Sequence, residues 1–165
     1  MKGITPFLWF DGQAEEAANH YVEIFSRVAR DSKITDVARY GPAGSEAAGR
    51  PEGSVMTVVF RLDGQDIVAL NGGPEFRFTE AVSLMVNCES QEEVDHFWER
   101  LSAGGEQGPC GWLKDRYGLS WQVVPTVLNE MLQDEDPKRA ERVMAAMLQM
   151  KKIDIEPLRQ AYEQG

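Results

Sequence analysis

Few side chains in this sequence could do covalent or metal chemistry. It holds two histidines, His20 and His96, and two cysteines, Cys88 and Cys110. Neither histidine adjoins a cysteine in sequence, and there is no Cys-x-x-Cys pair, no Gly-x-Ser-x-Gly elbow and no Gly-x-x-x-x-Gly-Lys-Ser/Thr loop. Nucleophilic catalysis, thiolate metal binding and phosphate cradling therefore have no local signature. His20 and His96 read as flank residues of helices, and the cysteines as small, reduced hydrophobes. Glu80 with Arg77, or Asp115 with Arg116, could form an acid/base pair or an anion clamp, although charged residues at strand ends are commonly just solvated.

Binding is better represented than reaction. Phe7 and Trp9 alternate on the predicted first strand, and Trp112, Ser120 and Gln122 recur on the last hairpin; with Asn71 they would make an apolar wall carrying amides and a hydroxyl. That lining suits a small, partly aromatic or amphipathic molecule. The same tryptophans could instead pack between sheet and helices.

The elements that must position these residues come in two copies. Phe7–Phe25 aligns without a gap on Ser83–Leu101 at an offset of 76, with Leu8/Leu84, Glu16/Glu92, His20/His96 and Glu23/Glu99 identical. Each copy reads as an apolar strand, a polar turn and an amphipathic helix. Ala14, Ala17, Ala18, Tyr21 and Phe25 form the apolar stripe of the first helix, and Val94, Phe97, Trp98 and Leu101 that of the second. Ser90 to Glu93 has the form of a capping box. Each copy then closes with a hairpin: 55–62 turning at Asp63-Gly64 into 66–71, and 111–114 turning through 115–118 into 119–124. At an offset of 51, Leu62 meets Leu113 and Asn71 meets Gln122. The first copy is longer by a predicted strand over 34–40 and a Gly-, Pro- and Ala-rich stretch, 41–53, expected as a mobile solvent loop or, less often, a lid.

Beyond Pro125 the pattern is helical. Thr126 is placed to cap 127–132, Asp136-Pro137 starts a further helix, and Val143, Met144, Met147, Leu148 and Met150 form a stripe suited to a docked core or a dimer contact. The expectation is one α+β domain over 1–165, made of module 1 (about 1–76), module 2 (about 77–125) and a helical extension (126–165). With 42% hydrophobic and 27% charged residues the composition is that of a globular domain. A net charge of −10 repels nucleic acid and anionic lipid. No apolar run reaches the roughly 20 residues of a membrane span, and the start, Met1 to Pro6, leads into a strand, so a cytoplasmic location is expected.

Two consecutive βαβββ modules resemble the vicinal-oxygen-chelate superfamily of glyoxalases, bleomycin-resistance proteins and extradiol dioxygenases. Thr5–Gly12, Phe78–Ser83, Cys110–Gln122 and Met150–Ile155 are similar to its PhnB-like branch, whose members also carry the label demethylubiquinone methyltransferase. The resemblance implies a fold with a cavity and, in metal-dependent relatives, ligands from the first and last strand of each module. Carried over residue by residue, those positions are Thr5, Asn71, Ala81 and Gln122, a set without histidine or carboxylate. No Gly-x-Gly-x-Gly run follows any strand, as S-adenosylmethionine binding in the usual α/β fold would require.

The leading expectation is a metal-free protein that binds a small molecule by recognition or sequestration, with Thr5, Phe7, Trp9, Asn71, Glu80, Trp112, Ser120 and Gln122 as pocket candidates. No cofactor is expected. The alternative is a lyase, isomerase or dioxygenase-like enzyme with a divalent metal held by Gln122 and water, or with Glu80 as acid/base group. Homodimers are expected as well, since relatives often dimerise.

Overall fold

The structure is a computed structural model that describes residues 3–164; Met1 and Lys2, at the head of the segment read as leading into the first strand, lie outside the described residues. The chain divides into two compact units between Phe78 and Thr79. The first contains β1 (Phe7–Phe10), α1 (Ala14–Ser26), β2 (Lys33–Arg39), α2 (Pro42–Ala48), β3 (Val55–Leu62) and β4 (Gln65–Asn71). The second contains β5 (Ser83–Cys88), α3 (Gln91–Ser102), β6 (Glu106–Gln107), β7 (Trp112–Lys114) and β8 (Ser120–Pro125), followed by α4 (Thr126–Leu132), α5 (Pro137–Met147) and α6 (Ile155–Glu163). Each unit holds one four-stranded sheet, in the orders β1-β4-β3-β2 and β5-β8-β7-β6. In both, the first strand runs parallel to the last and the remaining pairs are antiparallel. The architecture is α+β with a repeated βαβββ module.

The helical stripes lie where their spacing puts them. Ala14, Ala17, Ala18, Tyr21 and Phe25 are buried against Leu8, Phe10, Val58, Phe60, Ile67 and Ala69, so α1 covers one face of the first sheet. Val94, Phe97, Trp98 and Leu101 are buried with Val86, Leu113, Trp121 and Val123 under α3 in the second. The capping box also forms: Ser90 accepts from the Glu93 amide, and the Glu93 carboxylate from the Glu89 amide. At Asp63-Gly64 both residues have positive φ (49° and 80°), the primed turn whose twist matches a two-residue hairpin.

Two expectations for the repeated modules are corrected. The stretch 41–53 is not a plain loop, because Gly41-Pro42 starts a short helix and Gly49, at φ 63°, ends it in the left-handed conformation. It is tied down by Ser45 Oγ donating to the Arg50 carbonyl (2.5 Å), by the Gly53 amide on the Tyr40 carbonyl (2.8 Å) and by Arg50 facing Asp11 at 3.5 Å. The second correction concerns the hairpins. Leu8 pairs with Ala69 and Leu84 with Trp121, so the last strands correspond at an offset of 52 (Ala69 to Trp121), not 51. The β3–β4 turn spans residues 63–64 and the β7–β8 turn 115–119, and a gapless alignment cannot absorb that difference.

The helical extension closes its own core. Val124, Leu128, Met131, Val143, Ile153 and Leu158 are buried together, with Met147, Met150 and Tyr162 packed on them. Asp136 caps α5 from Pro137 as expected, but α4 starts at Thr126 itself, without a side-chain cap. Among the described residues no helix is long and apolar enough to cross a membrane.

Candidate functional site

A strand shows its two faces alternately, so register decides which of the candidate residues can meet. In the first unit Phe7 lies opposite Val68 and Trp9 opposite Leu70, on the sheet face away from α1. Phe7 is 60% exposed. Trp9 is half-buried: its Nε1 donates to the Gly73 carbonyl at 2.9 Å, its ring meets Phe76 edge-on with centroids 4.9 Å apart, and it lies so close to Gly72 that a Cβ there would fall 2.3 Å from the indole. Thr5, half-buried, precedes this strand.

Asn71 sits on the opposite face. It pairs with Phe10 under α1, where its Oδ1 accepts from the Ala14 amide (2.8 Å) and its Nδ2 donates to the Val55 carbonyl (3.1 Å). Its amide therefore caps α1 from a distant strand, which explains how that helix starts without a cap from Gln13. The corrected offset makes Leu70 the counterpart of Gln122. A slip of one residue had carried Asn71 across the sheet.

In the second unit the candidates do converge. Trp112 pairs with Gln122, Lys114 with Ser120, and Ser83 with Ser120, all on the face away from α3. Gln122 Nε2 donates to Ser83 Oγ at 2.9 Å, and the Lys114 ammonium pairs with the Glu80 carboxylate. That hydrogen bond, with the charge of Lys114 behind it, holds the Glu80 carboxyl below the usual range, while Glu80 and the more distant Glu106 raise Lys114. A cleft of about 220 Å³ opens here, lined by Trp112, Lys114, Ser120, Glu80, Gln107 and Pro109, among others. Ser120 is 1% exposed, and its Oγ has no hydrogen-bond partner among the described residues. Lys114, Gln107 and Ser83 are the residues that sequence reasoning missed. Period-two alternation from Trp112 would have found Lys114; the bond of Ser83 to Gln122 has no local signal.

Asp115 belongs to the turn rather than to the cleft. It is buried, accepts from the amides of Tyr117 (2.9 Å) and Leu119 (3.0 Å) through Oδ1, and from the Trp121 indole (2.9 Å) through Oδ2. His20 and His96 are half-buried on the flanks of α1 and α3. Among the described residues no three His, Cys, Asp or Glu side chains are grouped to hold a metal ion.

Residues 2–124 match the family model for 3-demethylubiquinone-9 3-methyltransferase. The chain belongs to this family. Within the 3-demethylubiquinone-9 3-methyltransferase family and its structural relatives it is similar to the PhnB protein of Bacillus cereus, which bears the family's name, with 35% identity over 76% of this chain and 100% of that one and a TM-score of 0.64. More distant likenesses show the fold alone. Protein PA1353 of Pseudomonas aeruginosa shares 18% identity over 76% of this chain and 98% of its own (TM-score 0.59). The fosfomycin resistance protein FosX of Listeria monocytogenes, solved with Mn(II) and sulfate, shares 17% over 81% and 97% (TM-score 0.53). No curated protein matches the chain. The fold is that of the vicinal-oxygen-chelate superfamily, as the resemblance implied.

Proposed function

We propose that the chain binds a small, largely apolar molecule carrying a hydrogen-bonding group in the cleft of the second module, by recognition rather than by metal-assisted turnover. The observation that carries this reading is Ser120: a hydroxyl buried without a partner costs free energy that a ligand group can recover. Trp112 and Pro109 supply the apolar wall, Gln107 an amide and Lys114–Glu80 a charged edge. The ligand positions carried over from metal-dependent relatives, corrected for register, are Thr5, Leu70, Ala81 and Gln122. They offer two neutral oxygen donors and two side chains that cannot ligate, so they do not fit a resident divalent metal. S-adenosylmethionine fits no better. The turns after β1 and β5 are Asp11-Gly12-Gln13 and Glu89-Ser90, neither of them a glycine-rich nucleotide turn.

The test combines elemental analysis and Zn²⁺, Ni²⁺ and Mn²⁺ titration with a small-molecule screen read by tryptophan fluorescence. No stoichiometric metal is expected, together with binders that lose about fivefold affinity in Ser120→Ala, the worth of one hydrogen bond. Tight metal binding at one per chain would replace this reading with the lyase, isomerase or dioxygenase-like alternative. Binders indifferent to both Ser120→Ala and Trp112→Phe would remove the cleft from it. The same reading makes the protein a homodimer, supported by exposed apolar side chains, in a reducing, cytoplasmic setting where Cys88 and Cys110 stay as thiols.

A further inference from the structure

The cleft wall from Gly108 to Trp112 is a tight turn in an unfavourable conformation. Cys110 and Gly111 are both left-handed, at φ 57° and 82°, and for a residue with a Cβ such as Cys110 that conformation is costly. Within the module the turn is closed by the Gly108 amide on the Trp112 carbonyl (2.8 Å) and by the Trp112 amide on the Pro109 carbonyl (3.0 Å). The amides of Cys110 and Gly111 themselves go elsewhere. They donate to the carbonyls of Met150 and Lys151, both at 2.8 Å.

Those acceptors lie in the link between α5 and α6, beyond the residues that match the family model. The link is anchored just beyond its contact with the turn. Ile153, fully buried, packs so closely on Gly111 that a Cβ there would approach its Cγ1 to 3.2 Å. Gln91, at the start of α3, donates to the Ile153 carbonyl (3.1 Å) and accepts from the Ile155 amide (2.8 Å). On the cleft's own face, Val124, two residues past Gln122, is buried in the core of the extension.

We infer that residues 150–155 act as a strap that holds the Pro109–Trp112 wall of the cleft in its strained conformation, making Ile153 a positioning residue for Trp112. The inference takes the cleft from the proposed function, but its test contains no ligand, so a failed ligand screen and a failed strap are told apart.

The experiment uses the full chain with 5-fluorotryptophan, the Trp112 resonance being assigned with Trp112→Phe, and measures amide hydrogen exchange residue by residue. Ile153→Ala is read against Leu158→Ala, which opens a cavity in the same extension core five residues beyond the strap's Ile153. In Ile153→Ala, exchange at Cys110 and Gly111 should rise about tenfold above that in Leu158→Ala, and the Trp112 resonance should shift or broaden in Ile153→Ala alone. Equal exchange in the two variants overturns the strap, and so does faster exchange with an unmoved Trp112 resonance. Should either variant fail to fold, Ile153→Val against Val143→Ala gives the same comparison with smaller cavities.

Discussion

At Glu80 and Lys114 an ion pair on the edge of the cleft sets two titrations. Because the hydrogen bond from Lys114 lowers the Glu80 carboxyl from its ordinary 4.5, the pair's contribution to the folded state is present above that value and fades as pH falls through the folded one. An NMR titration of the side-chain carboxyls should therefore find Glu80 below the ordinary glutamate value, and Lys114→Met should bring it back up. A Glu80 that titrates at the ordinary value in the unmodified protein would dissolve the pair. Asp115 and Asn71 show how residue type misleads without geometry. Both are polar residues in a hairpin and read as chemistry, yet each is consumed by backbone amides: Asp115 by those of its own turn, Asn71 by that of Ala14.

For the elements, the linkage of β4 to α1 through Asn71 is the sharpest dependence. Removing its side chain leaves the Ala14 amide and the Val55 carbonyl without their partner, so Asn71→Ala should cost about 2 kcal/mol in a denaturant titration, with the earliest exchange gain at the start of α1. A cost near zero would mean that the helix start finds another acceptor. Helices and caps were largely legible in the sequence because they are written in local spacing: the Ala17/Ala18/Tyr21 stripe, the Ser90 box and Asp136-Pro137 all lie where read. The pairing of β3 with β4 and of β7 with β8 was legible only as hairpins. Register depends on how many residues a turn consumes, and Asp115 builds a five-residue turn (115–119) where Asp63-Gly64 builds a two-residue one. That difference moved Asn71 off the candidate face while Trp112, Ser120 and Gln122 stayed together. Contacts such as those of Cys110 and Gly111 with the extension pass through backbone atoms and leave no trace in side-chain patterns.

For the whole molecule, the question is what the exposed apolar residues are for. Phe7, Val82 and Met85 are open to solvent, and Ile4 is 94% exposed, more than solubility alone favours. If they meet a second copy, light scattering should give twice the chain mass of 18.5 kDa, and Phe7→Glu with Met85→Glu should halve it. A mass of one chain at every concentration would remove the dimer.

The strap also sets an order of events during synthesis. Met150 follows Cys110 by 40 positions (150 less 110), so the strands that bear Trp112 and Ser120 leave the ribosome before the segment that fixes their wall. A nascent chain can pair β5, β7 and β8 and bury Trp121 under α3, but its Cys110 and Gly111 amides must stay on water until Met150 and Lys151 emerge. The setting of the cleft wall then waits for residues 150–155, and a message cut short after β8 would yield a folded-looking module whose cleft has never been set.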